Sequence, residues 1–297
     1  MLSLMPRRLA RPPSDAASAV VRMARSGQSV WPIRAMSRRR QRRFARDMRT
    51  TTDTLRFDAR FNGPPRSVNG GFACGAIAET LGGTASVRLI RPVPLEEPLE
   101  VDVALEGQSA EVTDSAHRLL ATATKLDPFT MIPPVTPRFG DAEEARAASP
   151  LHGARHLLSN CVVCGGQRLD GLGVTPGPLT NRRDVLAAPF VPHERDTAGG
   201  VVDPAAVWGA LDCPSYPASS LLDRRLGLLG TMTAHRNRDV FLGEQLVVVG
   251  WTVQRHGRVT DTASALLDEN GDMVASARAV WIELRHQWLT RLVSRLG

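Results

Sequence analysis

The sequence predicts an α+β protein made of two related halves, each an antiparallel sheet wrapped around one apolar helix. Three observations carry that expectation. Residues 84–101 (TASVRLIRPVPLEEPLEV) and 231–248 (TMTAHRNRDVFLGEQLVV) align without a gap at an offset of 147, and seven of the eighteen positions are identical: Thr84/Thr231, Arg91/Arg238, Val93/Val240, Leu95/Leu242, Glu97/Glu244, Leu99/Leu246 and Val101/Val248. Composition alone would give roughly one or two. Each half also holds one segment that is apolar nearly all round, FACGAIAETLGG (72–83) and DPAAVWGALDC (203–213), the pattern of a helix buried on every side. Period-two alternation, clearest in VRLI and LEVDVAL, marks the strands that follow.

The elements fall in the same order in both halves. In the first, a strand at LRFDARF (55–61) leads through GPPRSVNGG to the helix, which Gly82 and Gly83 should stop. Strands follow at TASVRLIRPV, LEVDVALEG and RLLATATKL. In the second, LGVTPGPL and DVLAAPFV precede the helix, and TMTAHRNRDV, EQLVVVGWTVQRHG, VTDTASALL and DMVASARAVWIEL follow it, the last two joined at an Asn270-Gly271 turn. Residues 126–155 carry five prolines and no hydrophobic period, so they read as a linker. The expected organisation is an Arg-rich leader (1–50), a first repeat (51–125), this linker (126–155), and a second repeat (156–297). The last closes on a capping helix in which Trp288, Leu289, Leu292, Val293 and Leu296 share a face.

Charge and cysteine content narrow the function classes. The net charge is +7, but residues 1–50 hold thirteen arginines against Asp15 and Asp47, a balance of +11 that leaves −4 on the remaining 247 residues. The folded part therefore has no general electrostatic case for nucleic acid. The leader has no apolar core for a secretory signal; its basic, acid-poor composition fits an organellar transit peptide or a nucleic-acid tail, and the favoured reading of the stretch upstream of Met48 is a disordered one, a mis-assigned start or a dispensable tail. No apolar run approaches the roughly 18 residues of a membrane span. Four cysteines without a secretion signal fit reduced thiols in a cytoplasm. Cys161 and Cys164 form a CxxC, but no second pair of ligands lies at zinc-site spacing, so no metal and no other cofactor is expected.

CVVCGG (161–166) followed by GLGV (171–174) resembles the CxxCG…GL opening of single-hotdog thioesterases, and VVDPAAVWGALD (201–212) occupies the place of their helix motif, in which an acidic residue stands nine positions after a His-Gly-Gly start. Asp203 and Asp212 keep that spacing. With the repeat, the chain over about residues 52–285 resembles the tandem, or double, hotdog fold of acyl-CoA thioesterases. The resemblance implies two antiparallel sheets, each wrapped around a central helix, and a hydrolase acting on acyl-CoA or acyl-carrier-protein thioesters, with a homodimer as a candidate assembly.

Thioester hydrolysis needs a carboxylate to activate water or attack the carbonyl, and donors for the developing oxyanion. Asp212, in an otherwise apolar helix, is the candidate carboxylate. Asn69, Gly70 and Gly71 at the start of the first helix are the candidate oxyanion site, because a helix N-terminus presents free N–H groups and glycine allows close approach. Asp203 is the equivalent position in the second half, though Asp203-Pro204 also has the form of an ordinary helix cap. A related thioesterase arrangement pairs the helix aspartate with a strand threonine and a glutamine, which makes Thr231 and Thr233 candidate catalytic partners; Ser264 or Ala265 falls at the glutamine position. Two other readings accompany the hydrolase: a hotdog dehydratase or hydratase using His235 or His256, and a non-catalytic acyl-CoA binder.

Overall fold

In the computed structural model, residues 50–64, 66–104, 106–152, 158–166, 168–285 and 287 are described, all within the unit Asp47–Gly297. The first half runs β1 (Thr50–Leu55), a 3₁₀ turn (Ala59–Phe61), α1 (Gly70–Glu79), β2 (Ala85–Leu89), β3 (Leu99–Ala104), β4 (Ser109–Thr113) and β5 (Leu119–Lys125). Helix α2 (Phe139–Ala147) follows. The second half runs β6 (Gly177–Leu179), β7 (Arg182–Phe190), the short pair β8 (Thr197–Ala198) and β9 (Val201–Val202), α3 (Pro204–Asp212), a 3₁₀ turn (Cys213–Ser215) and α4 (Ala218–Leu222). It ends with β10 (Gly227–Arg236), β11 (Leu246–His256), β12 (Val259–Leu267) and β13 (Met273–Glu283).

The two halves do not keep separate sheets. Eleven strands form one continuous sheet in the order β1-β3-β4-β5-β2-β10-β13-β12-β11-β7-β6, and every pair in it is antiparallel. The join is β2 against β10, which satisfies two strand edges that separate sheets would leave open. Ser86 lies opposite Thr233 in that pairing, and Thr233 Oγ1 donates to Ser86 Oγ at 2.9 Å. These two residues are separated by the offset of the sequence repeat, so each is paired with its own counterpart and the local twofold of the fold passes between them. The repeat is conserved in its burial as well: Leu99, Val101, Leu246 and Val248 are all fully buried.

Helices α1 and α3 pack on each other within the principal core. Their sequences, GGFACGAIAE and PAAVWGALD, are apolar apart from Glu79 and Asp212 and carry glycine or alanine where they meet, which lets their backbones approach closely. A Cβ on Gly71 would fall 2.5 Å from Asp212 Cβ and 2.7 Å from the Trp208 carbonyl oxygen. One on Gly75 would fall 2.7 Å from Ala205 Cα, and one on Gly209 would fall 2.6 Å from the Phe72 ring. The contacts run antiparallel, so the start of α1 meets the end of α3. Gly82 and Gly83, both at positive φ, stop the chain beyond α1 as the sequence indicates.

Several elements differ from the sequence reading: the first strand lies at Thr50–Leu55 rather than at 55–61, where the 3₁₀ turn Ala59–Phe61 stands, and β4, the β8–β9 pair and α4 were not foreseen. Strand β4 pairs between β3 and β5, and α2 lies inside the stretch read as a proline-rich linker. Asp141 caps α2 by accepting from the Arg138 N–H at 2.8 Å, and Ala142 and Ala145 are buried with Val185 and Ala187 of β7. The expected C-terminal helix, with Trp288 through Leu296, lies outside the described residues, as do residues 1–49 of the leader.

Candidate functional site

The same backbone hooks aim both helix starts. Val68 N–H donates to Val93 O at 2.9 Å and Asn69 N–H to Phe61 O at 2.8 Å; in the second half Val202 N–H donates to Val240 O at 2.8 Å and Asp203 N–H to Asp196 O at 2.9 Å. Val93 and Val240 are one of the identical pairs of the repeat. Each hook ends in a polar N-cap: Asn69 Oδ1 accepts from Phe72 N–H at 3.0 Å, and Asp203 Oδ1 accepts from Ala205 N–H at 2.8 Å.

Where α1 begins, Asp212 arrives from the end of α3. Its Oδ2 accepts from Asn69 Nδ2 at 2.9 Å and from the Gly71 N–H at 3.0 Å. The Asn69 amide is thus fixed at both ends, with its oxygen capping α1 and its nitrogen holding the carboxylate. Asp212 is buried, and among the described residues its Oδ1 has no hydrogen-bond partner. Burial pushes its carboxyl up to about 7, against the pull of the Gly71 N–H and Asn69 and with a further push from Cys161. A buried carboxyl in this range is poised to exchange a proton near neutrality.

The end of α3 is held in place from behind. Ser264 Oγ donates to Leu211 O at 2.8 Å, Ser215 Oγ to Asp212 O at 2.6 Å, and Trp281 Nε1 to Ser215 Oγ at 3.0 Å. Ser264, one of the two residues aligned with the missing glutamine, therefore fixes the helix that carries Asp212.

The CxxCG…GL segment brings the second half across onto the first. Val162 N–H donates to Asn62 O at 2.8 Å, Arg168 bonds Asn62 Oδ1 and the Arg60 carbonyl, and Asn69 Nδ2 lies 3.8 Å from Cys161 Sγ. Its glycines allow tight turns: a Cβ on Gly165 would sit 2.5 Å from Cys161 O, and one on Gly171 would sit 2.7 Å from Val162 O. Cys213, the residue after Asp212, completes a group of three with Cys161 and Cys164 whose sulfurs all lie within 4.8 Å of one another. This third thiol lies 49 residues beyond Cys164 in the chain, so the CxxC spacing alone does not announce it.

Asn69, Gly70, Gly71 and Asp212 therefore meet, with the Gly71 N–H held by the carboxylate. The remaining expected residues stand apart from them. Met232 and Ala234 of β10 face the core that contains the helices, so Thr231 and Thr233 lie on the other face of the sheet, and Thr233 spends its hydroxyl on Ser86. No hydrogen bond among the described residues joins either threonine to Asp212. Asp203 is an exposed helix cap at the opposite end of the helix pair, where Ala78 stands at the position equivalent to Asp212. His235 bonds Thr84 Oγ1 at 2.8 Å near the sheet join, and His256 is exposed at the end of β11.

No protein-family model and no curated protein matches the sequence. Among solved structures, the chain is similar to a candidate thioesterase from Novosphingobium aromaticivorans, at 14% identity and a TM-score of 0.52 over 78% of this chain and 94% of that one. It is also similar to the tesB protein of Mycobacterium avium subspecies paratuberculosis, at 11% identity and 0.49 over 78% and 93%. A third similar structure is a candidate oleoyl thioesterase from Lactobacillus plantarum, at 12% identity and 0.46 over 79% and 96%. The first of these likenesses is one of fold, and it agrees with the α+β, hotdog-like architecture described above. No helix among the described residues is long and apolar enough to cross a membrane.

Proposed function

We propose that the protein hydrolyses acyl thioesters, carried on coenzyme A or an acyl-carrier protein, at one composite site made by the start of α1 and the end of α3. One observation carries the reading. Asp212 is buried with one oxygen pinned by Asn69 and the Gly71 N–H and the other unpartnered. A buried acceptor left open is a place for a water or a substrate group.

In this mechanism ionised Asp212 takes a proton from water, and the oxygen attacks the thioester carbon. The carbonyl oxygen gains charge as the tetrahedral species forms. The Gly70 N–H, which has no acceptor within the helix at the first helical position, and the positive end of the α1 dipole stabilise that charge. The C–S bond then breaks, and the thiolate leaves with the proton held by Asp212, giving a carboxylic acid and a free thiol. Asn69 acts as a positioning residue.

The repeat supplies a built-in comparison. At the other end of the helix pair, Asp203-Pro204-Ala205 replaces Asn69-Gly70-Gly71 and Ala78 replaces Asp212, so the second half keeps the frame without the carboxylate. Hydration of an enoyl thioester has no equivalent support, because neither described strand histidine reaches Asp212. The test is a panel of acyl-CoA substrates followed for free thiol and for enoyl absorbance. Thiol release that falls at least about a hundredfold in Asp212→Asn, the scale of losing a general base, supports hydrolysis. An enoyl change without thiol release, or saturable binding with neither signal, would replace it with the hydratase or the binder.

A further inference from the structure

We propose that Cys161, Cys164 and Cys213 form a binding site for a thiophilic d¹⁰ cation such as zinc, tying the loop that crosses between the halves to the end of α3. The three sulfurs lie within 4.8 Å of one another. Tetrahedral thiolate coordination at Zn–S of about 2.3 Å places sulfurs roughly 3.8 Å apart, so closing around an ion needs each to move by no more than about 1 Å. Cys161 and Cys164 are buried and Cys213 is partly so, and all are free thiols rather than disulfide partners.

A cation would offset the repulsion among thiolates held this close together. The turn that makes this arrangement is the one Gly165 permits: its N–H donates to Cys161 O at 2.9 Å, where a side chain would clash. Soft sulfur donors select zinc-like or monovalent copper ions over magnesium or calcium. Three protein ligands leave a fourth position for an exogenous ligand. Loading involves no oxidation: each bound thiol gives its proton to solvent, and the ion keeps its charge.

The site is independent of the hydrolase reading, since it rests on the three thiols and not on Asp212. It also has a structural consequence. The Cys161 loop is anchored on Asn62 and touches Asn69, while Cys213 ends α3, so a bound ion links both sides of the candidate site.

The experiment titrates zinc into the full chain, purified under reducing conditions, with competition by a chromophoric chelator, and repeats the titration with cobalt(II) to detect thiolate-to-metal charge-transfer absorption. We expect about one ion per chain, with the charge-transfer band. In Cys161→Ser and Cys213→Ser the affinity should fall at least about a hundredfold, whereas Cys74→Ser, which alters a buried thiol outside the cluster, should leave it unchanged. Wild-type protein with fully reduced thiols that takes up no zinc and shows no cobalt–thiolate band would overturn the proposal, whatever the variants do. So would binding that survives the loss of Cys161 and Cys213, or a Cys161–Cys164 disulfide found by mass spectrometry in protein purified without added oxidant.

Discussion

Replacing Gly71 with alanine tests the helix seam and the site in one step. The added methyl would meet Asp212 Cβ at 2.5 Å, the Trp208 carbonyl oxygen at 2.7 Å and Gly209 Cα at 3.0 Å. None of these is the far end of a flexible side chain, so relief requires α1 and α3 to separate. Overpacking of this kind costs about 1–3 kcal/mol, and rigid neighbours on three sides put Gly71→Ala at the upper end. Alanine returns up to about 1 kcal/mol of helix propensity, leaving a net loss of about 2 kcal/mol. At about 2–4 °C per kcal/mol for a domain of this size, Tm should fall by about 4–8 °C. Because the same shift moves Asp212 against Asn69, thiol release should fall by about ten- to a hundredfold. Gly70→Ala is the control. Its methyl meets only the Leu229 side chain, at 2.8 Å from Cδ2, which can rotate away, so stability should change by less than about 1 kcal/mol. Melting curves and thiol release on the same preparations decide the matter. A Gly71→Ala protein as stable and as active as the parent would refute the close packing and the placement of Asp212 that depends on it.

Gly75→Ala, which drives a methyl to 2.7 Å from Ala205 Cα, should lower Tm about as much as Gly71→Ala while costing less turnover, because it opens the seam away from Asp212. Asp203→Ala removes a helix cap and should cost about 1 kcal/mol by thermal melting, with thiol release unchanged. Thr233→Val breaks the bond to Ser86 and should likewise cost about 1 kcal/mol without loss of turnover; a large loss would return Thr233 to the catalytic group. In protein stripped of metal, Asp212 should lose its proton near pH 7 in the fold and near pH 3.9 in the unfolded chain. The fold then holds the extra proton between those values. Its stabilising effect is full below about pH 4 and gone as pH rises through about 7, while hydrolysis, which needs the anion, rises through the same upper limit. Denaturant titrations and rate profiles of Asp212→Asn should be flatter in that window.

The features of the site that were legible in the sequence are local ones. Asn69-Gly70-Gly71 announced a helix start, the apolar stretch ending in Asp212 announced a buried helix with one ionisable group, and VTDTASALL coincides with β12 residue for residue. The repeat was legible because buried positions such as Leu99/Leu246 are constrained equally in both halves. What escaped depends on distance. The pairing of β2 with β10 has no local signal, and the repeat alone could not tell two sheets from one. Helix α2 was hidden because proline content around it outweighed Ala142 and Ala145, whose burial depends on β7. Thr231 and Thr233 came from analogy with another arrangement. The alternation of Met232 and Ala234 with them already carried the signal for the opposite face of the sheet. Cys213 was visible as a residue but not as a neighbour of Cys161, because only the docking of α3 on α1 brings them together.

The central claim is that residues from the two halves act as one unit, and a double-mutant cycle on kcat/KM for thioester hydrolysis measures it most directly. Asn69→Ala removes the amide that pins Asp212 Oδ2, and Asp212→Asn removes the carboxylate. If they form one unit, Asn69→Ala in the Asp212→Asn background should cost little beyond the single change, as happens when residues act together. Losses that multiply fully, with both variants folded, would contradict the composite site.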